Sequence, residues 1–150
     1  MNPTMDLSQQ LKVTLATAFS FYLKAHNYHW NVTGPNFSEY HKFLEGVYSA
    51  VWESVDDYAE HIRALDDFSP ASLSQFAQLT RILDANTVIP ALSMFKQLED
   101  DNRILLGELN KAHDLAVEAA AYGVVNFLEG QIDYHDKLHW MLRAFTPAVM

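Results

Sequence analysis

At 150 residues and 49 % hydrophobic content the chain is long enough for one well-filled core and too short to suggest two, so residues 1–150 are read as a single domain. Nineteen acidic residues against ten basic ones leave a net charge of −9, which disfavours a nucleic-acid backbone as partner and favours cations. The absence of cysteine excludes disulfides, thiolate metal sites and cysteine nucleophiles. With no leader pattern and no run of about 18 apolar residues, a cytoplasmic protein without a membrane span is the expectation.

In chain order, Leu11, Leu15, Ala18, Tyr22 and Ala25 recur at helical spacing and predict a first helix from about Leu7 to Asn31, with His29 continuing its stripe. Gly34-Pro35 stops it, and Ser38 is the expected N-cap of a second helix running to about Leu65. That helix carries two stripes. Leu44, Val47, Val51, Val55, Tyr58, Ile62 and Leu65 form a core face, while His41, Glu45, Tyr48, Trp52, Asp56 and Glu60 form a second face rotated by roughly a third of a turn. A face that mixes large aromatics with potential ligands suits a subunit interface. Asp66 to Pro90 reads as a long crossover holding a short helix near Ser72–Leu79. Pro90 then suits the first turn of a third long helix, which ends near Ala120 and buries Phe95, Leu98, Asn102, Leu105, Leu109, Ala112 and Ala116. Gly123 separates it from a fourth, with Val124, Leu128, Gln131, His135, Leu138 and Leu142 on one face. The expected class is all-α: a ferritin-like four-helix bundle with one long crossover between helices two and three.

Four residues carry the chemistry. His29 and His41 lie twelve apart across the Gly-Pro break, and Asp56 and Glu60 lie one helical turn apart, fifteen beyond His41. Two imidazoles and two carboxylates suit a redox metal such as non-haem iron, because imidazole binds iron, zinc or copper and carboxylate favours the harder ions. If Ser38–Leu65 is one rod, a rise of about 1.5 Å per residue puts His41 and Asp56 roughly 22 Å apart, so no single ion touches both. The four meet only if a second copy packs antiparallel and brings its Asp56 and Glu60 beside this chain's His29 and His41.

Other readings compete at single positions. Asp57, rotated away from Glu60, is read as pairing with His61 at i+4. Glu45 is either a mineral-nucleating residue or part of a solvated face. Trp30 and Trp52 are read as packing residues, with electron donation as the other reading. His26, His113, His135 and His139 are left out of the site, His135 being a core histidine, and Met94, Met141 and the remaining aromatics are assigned to the core. An intrachain di-iron site is disfavoured, since no acidic residue lies between Asp6 and Glu39 and no Glu-x-x-His occurs. The HExxH signature of zinc hydrolases is absent too.

AHNYHWNVTGPNFSEYH (25–41), DDYAEHIRAL (56–65) and HDKLHWMLRAF (135–145) together resemble the Dps miniferritins over nearly the whole chain. The resemblance implies a hollow twelve-subunit homo-oligomer that oxidises ferrous iron, commonly with hydrogen peroxide, and stores the ferric product. It implies that His29 and His41 come from one subunit and Asp56 and Glu60 from its neighbour across a two-fold interface. Three departures stand out. His61 replaces the family's usual arginine. Ala121 and Asn126 stand where acidic residues line an iron entry pore, so that Glu118 and Glu129 would have to substitute. No lysine precedes Lys12, which argues against the DNA binding of some members. Two alternatives stay open: a DNA-protecting nucleoid-type protein, and a cage whose metal site is silent.

Overall fold

The computed structural model describes residues 2–148. Over them the chain forms α1 (Pro3–Asn31), α2 (Phe37–Ala64), α3 (Leu73–Leu79), α4 (Ala91–Glu118) and α5 (Tyr122–Phe145). α1 starts four residues ahead of the expected Leu7, because Asn2 accepts the Thr4 backbone N–H at 3.0 Å and Pro3 presets the first φ. α2 starts at Phe37 after Asn36, so Ser38 lies inside the helix and is not its cap. Ser72 does cap α3, accepting from the Gln75 backbone N–H at 3.3 Å. Gly123 is not the break before the last helix. The chain turns at Ala119–Ala121, with Ala120 at φ 53, and Gly123 sits within α5.

Antiparallel packing follows from contacts at both ends of each pair. Asp67, just beyond α2, accepts from the Ser8 hydroxyl at 2.7 Å and Lys12 at 2.9 Å, while His29 and His41 meet at the opposite end of α1 and α2. α4 and α5 are tied by Asn102 to His135 and by His113 to Glu129. α1 and α4 are tied by Lys24 to Asp101 and by Thr14 to the Glu108 carbonyl. α2 and α4 are both antiparallel to α1, so they run parallel to each other. The link between them must therefore travel back along the bundle, about 40 Å for a helix of α2's length. That is why the crossover is long. It is held to the bundle by buried Ile82, by the Arg81 N–H on Thr17 at 3.2 Å, and by Asn27 on the Ala85 carbonyl at 3.2 Å.

The core is apolar, with two polar braces at one level. Leu11, Leu15, Phe21, Leu44, Tyr58, Leu98, Leu105 and Leu128 are fully enclosed, as the helical stripes predict. Lys24 and Asp101 form a buried ion pair at 2.8 Å, and Gln97 donates to the other Asp101 oxygen at 3.1 Å. Burial pushes the Asp101 carboxyl up while both partners pull it down. Next along α4, Asn102 accepts from His135 Nδ1 at 2.7 Å and donates to the His135 carbonyl at 2.9 Å. Removing one member of such a pair strands a buried polar group, so these braces fix how α1, α4 and α5 register. The assignment of all remaining aromatics to the core does not hold. Phe68, Tyr122 and Trp140 lie on outward faces and are more than half exposed.

Candidate metal centre

The last turn of α1 and the first turn of α2 converge because Gly34 at φ 121 permits the tight reversal between them. His29 is buried there and His41 half-buried, with their rings stacked at 3.6 Å. Each imidazole Nδ1 lies 2.7 Å from the other residue's backbone carbonyl oxygen. A carbonyl only accepts, so each Nδ1 carries the proton and donates. Each Nε2 is then left unprotonated with its lone pair available, which is the state a metal ligand needs. The two histidines thus fix one another's tautomer and orientation.

Asp56 and Glu60 are exposed on α2, side by side. The Asp56 carboxylate next to it, and the hydrogen bond between the two, raise the Glu60 pKa above the usual range, with a smaller upward push from Asp57 and a small downward one from His61. Two carboxylates that disfavour each other's charge are stabilised by a shared cation. The fifteen-residue separation from His41 along an unbroken α2 is real, about 22 Å of helix. Among the described residues no three His, Asp or Glu side chains converge on a metal position within the chain. The structure therefore joins His29 to His41 and Asp56 to Glu60, and keeps the two pairs apart. No ion pair joins Asp57 to His61 among the described residues. The His61 ring rests on Phe127 at 4.9 Å.

His26, which the sequence reading leaves aside, belongs to this neighbourhood. Its Nδ1 shares a hydrogen bond with the Tyr22 hydroxyl at 2.9 Å, and its ring is stacked between Tyr48 and Trp30, each at 3.8 Å. The ring of His29 lies 5.9 Å away, edge-on. Burial and the neighbouring His29 keep the His26 pKa low. The spacing Tyr22, His26, Trp30 at i, i+4, i+8 is the signal that would have found it. Trp30 and Trp52, read as packing residues, rest against His26 at 3.8 Å and Tyr22 at 4.9 Å, yet each leaves more than half of its surface uncovered, 60 % and 54 %. Of the two acidic residues considered for an entry pore, Glu129 is bonded to His113 at 2.9 Å and Glu118 ends α4.

Comparison with known proteins agrees with this architecture. Residues 8–147 match the model of the ferritin-like domain. The chain is 31 % identical over 141 residues to the DNA protection during starvation protein of Helicobacter pylori, covering 93 % of this chain and 98 % of that one. The crystal structure of antigen TpF1 from Treponema pallidum superposes with a TM-score of 0.94 at 27 % identity, covering 97 % of this chain and 94 % of that one. The Dps protein of Vibrio cholerae O1, described as a member of a superfamily of ferritin-like diiron-carboxylate proteins, superposes with a TM-score of 0.91 at 29 % identity, covering 95 % and 90 %. No described helix is long and apolar enough to cross a membrane.

Proposed function

The chain belongs to the ferritin-like family as a Dps-type miniferritin, and from that premise we propose that it is a ferroxidase: a cytoplasmic shell of twelve copies that oxidises ferrous iron at sites shared by two subunits and stores the ferric product. The observation that carries this reading is the pair of reciprocal histidine–carbonyl bonds, which leaves two Nε2 lone pairs available where no carboxylate among the described residues joins them.

Iron is the substrate. His29 and His41 of one copy hold the entering ferrous ion through neutral nitrogens, and Asp56 and Glu60 of the neighbour complete its ligands with oxygen. The anionic oxygens favour the ferric product more than the ferrous reactant, because the harder, more highly charged ion gains more from them. Oxidation is thereby assisted at the carboxylate side of the site. With hydrogen peroxide as oxidant, two ferrous ions each give up one electron, the O–O bond breaks, and two protons are taken up to yield two waters and two ferric ions. Burial and the neighbouring His29 lower the His26 pKa, which favours its neutral form beside the site.

Of two other functions, one is disfavoured by the charge of this chain and the other is decided by experiment. A DNA-protecting role needs a positive surface, whereas the net charge is −9. A silent cage predicts that the four residues are dispensable. The test is the initial rate of ferrous oxidation with peroxide for the wild type, His41→Ala and Glu60→Ala. Each substitution is expected to slow oxidation on the order of tenfold or more, as loss of a metal's supporting groups does elsewhere. Equal rates in all three proteins would reject the ferroxidase reading.

A further inference from the structure

The outer face made by α1 and α2 is complementary to itself in charge and in shape, independently of any metal. Between Asp6 and Glu39 there is no acidic residue, whereas Glu53, Asp56, Asp57 and Glu60 crowd the second half of α2. One end of the face therefore carries only Glu39 and Glu45, offset in part by Lys42, and the other is dense with negative charge. Shape follows the same division. At the acid-poor end Trp30 stands 60 % exposed, braced against the His26 ring at 3.8 Å. At the acidic end lies an apolar groove of about 550 Å³, with Leu15, Val55 and Ala59 at its base and Pro70, Ala71 and Phe76 of the crossover as its far wall. Asp56 lines the same groove.

A two-fold axis places every such feature opposite its complement twice over, since an isologous contact of residue i with j repeats as j with i. If His41 of one copy lies opposite the interval between Asp56 and Glu60 of the other, the axis crosses α2 near residue 50, by roughly the mean of the paired positions. The acidic half of each α2 then covers the acid-poor end of its partner, and the residue after His29 falls beside the partner's Asp56, at the mouth of the groove. Trp30 is that residue. We infer that the Trp30 indole of a second copy seats in the groove between α1, α2 and the crossover, making it the apolar anchor of the interface that closes the metal site. Buried tryptophans in fitted pockets are the kind of residue that dominates such interfaces. This rests on the two-fold reading proposed above and adds what holds the two copies together when no metal is bound.

The test exploits the absence of native cysteine. Full-length Trp30→Cys/Ala71→Cys protein, in metal-free buffer and at a concentration high enough for Trp30→Ala to be dimeric, is treated with a short bismaleimide and run on a denaturing gel. The expected result is that most chains become covalent dimers, against a small minority for either single-cysteine variant. In parallel, Trp30→Ala is expected to weaken dimerisation at least tenfold by sedimentation of diluted protein, with Trp30→Phe recovering part of the loss. Because Trp30 is on the surface of the folded chain, its helical circular dichroism should be unchanged. A stable wild-type dimer in which the Trp30 pair does not cross-link overturns the inference and leaves the shared-site reading standing. So does one in which Phe37→Cys/Ala71→Cys cross-links instead. A wild type that is monomeric at every concentration overturns both.

Discussion

The imidazole of His135 is fully enclosed on α5, with Nδ1 bonded to Asn102, the Phe21 ring against it at 5.7 Å, and no partner for Nε2. Desolvation pushes its pKa down to about 3. Unfolded, the same ring titrates near 6.5, so below that pH the unfolded chain binds a proton that the folded chain refuses. The stabilising preference for the neutral ring is whole above pH 6.5 and is lost as pH falls toward 3, by roughly 1.4 kcal/mol per pH unit. Between pH 7.5 and pH 5 the wild type should lose about 2 kcal/mol from this ring alone. Urea unfolding of wild type and His135→Leu at both pH values checks it, and an identical pH dependence in the two would refute the assignment. At this scale the sequence was informative where spacing decides geometry: Asp56 and Glu60 at i+4 had to be neighbours, and His135 on an apolar stripe had to be buried. It was silent on His26 and on the histidine–carbonyl bonds, because these depend on how two helices meet, which no single stripe encodes.

Helix ends show the same limit one level up. The apolar periodicities located the long helices and the short one in the crossover, but boundaries followed local backbone chemistry that hydrophobic patterning does not contain. Asn2 and Pro3 extend α1 beyond its first apolar residue, and Asn36 displaces Ser38 as the residue before α2. The α4–α5 break is the sharpest instance. A glycine two residues inside α5 looked like the turn, whereas Ala120 adopts φ 53 and makes it. A β-carbon in the left-handed region costs on the order of 1 kcal/mol, which glycine avoids. Ala120→Gly is therefore expected to stabilise the protein by about 0.5–1 kcal/mol, less any entropy glycine adds to the unfolded chain, read as a higher urea midpoint at unchanged slope. A lower midpoint would mean that the turn is held by its neighbours at no local strain.

For the whole molecule, a rigid α2 holds His41 and Asp56 about 22 Å apart, and under the proposed reading function is a property of pairs. Sequence spacing alone conveyed this, since 22 Å of helix between His41 and Asp56 follows from residue count once the segment is helical, at about 1.5 Å per residue. What it could not convey was the surface proposed to join the pair, because exposure of Trp30 and Trp52 depends on the packed fold. Sharing has a signature that no intrachain site can imitate. In a dimer of one His41→Ala chain with one Glu60→Ala chain, both lesions fall in the same site, and the other site draws intact histidines from one chain and intact carboxylates from its partner. Equal co-expression with random pairing puts half the dimers in this mixed class with one working site of two, so about a quarter of wild-type sites reappear. The mixture of two inactive variants should then oxidise ferrous iron at about a quarter of the wild-type rate, against near zero for either parent. A mixture no faster than its parents would place all four ligands' work within one chain, and the separation of the histidines from the carboxylates would lose its meaning.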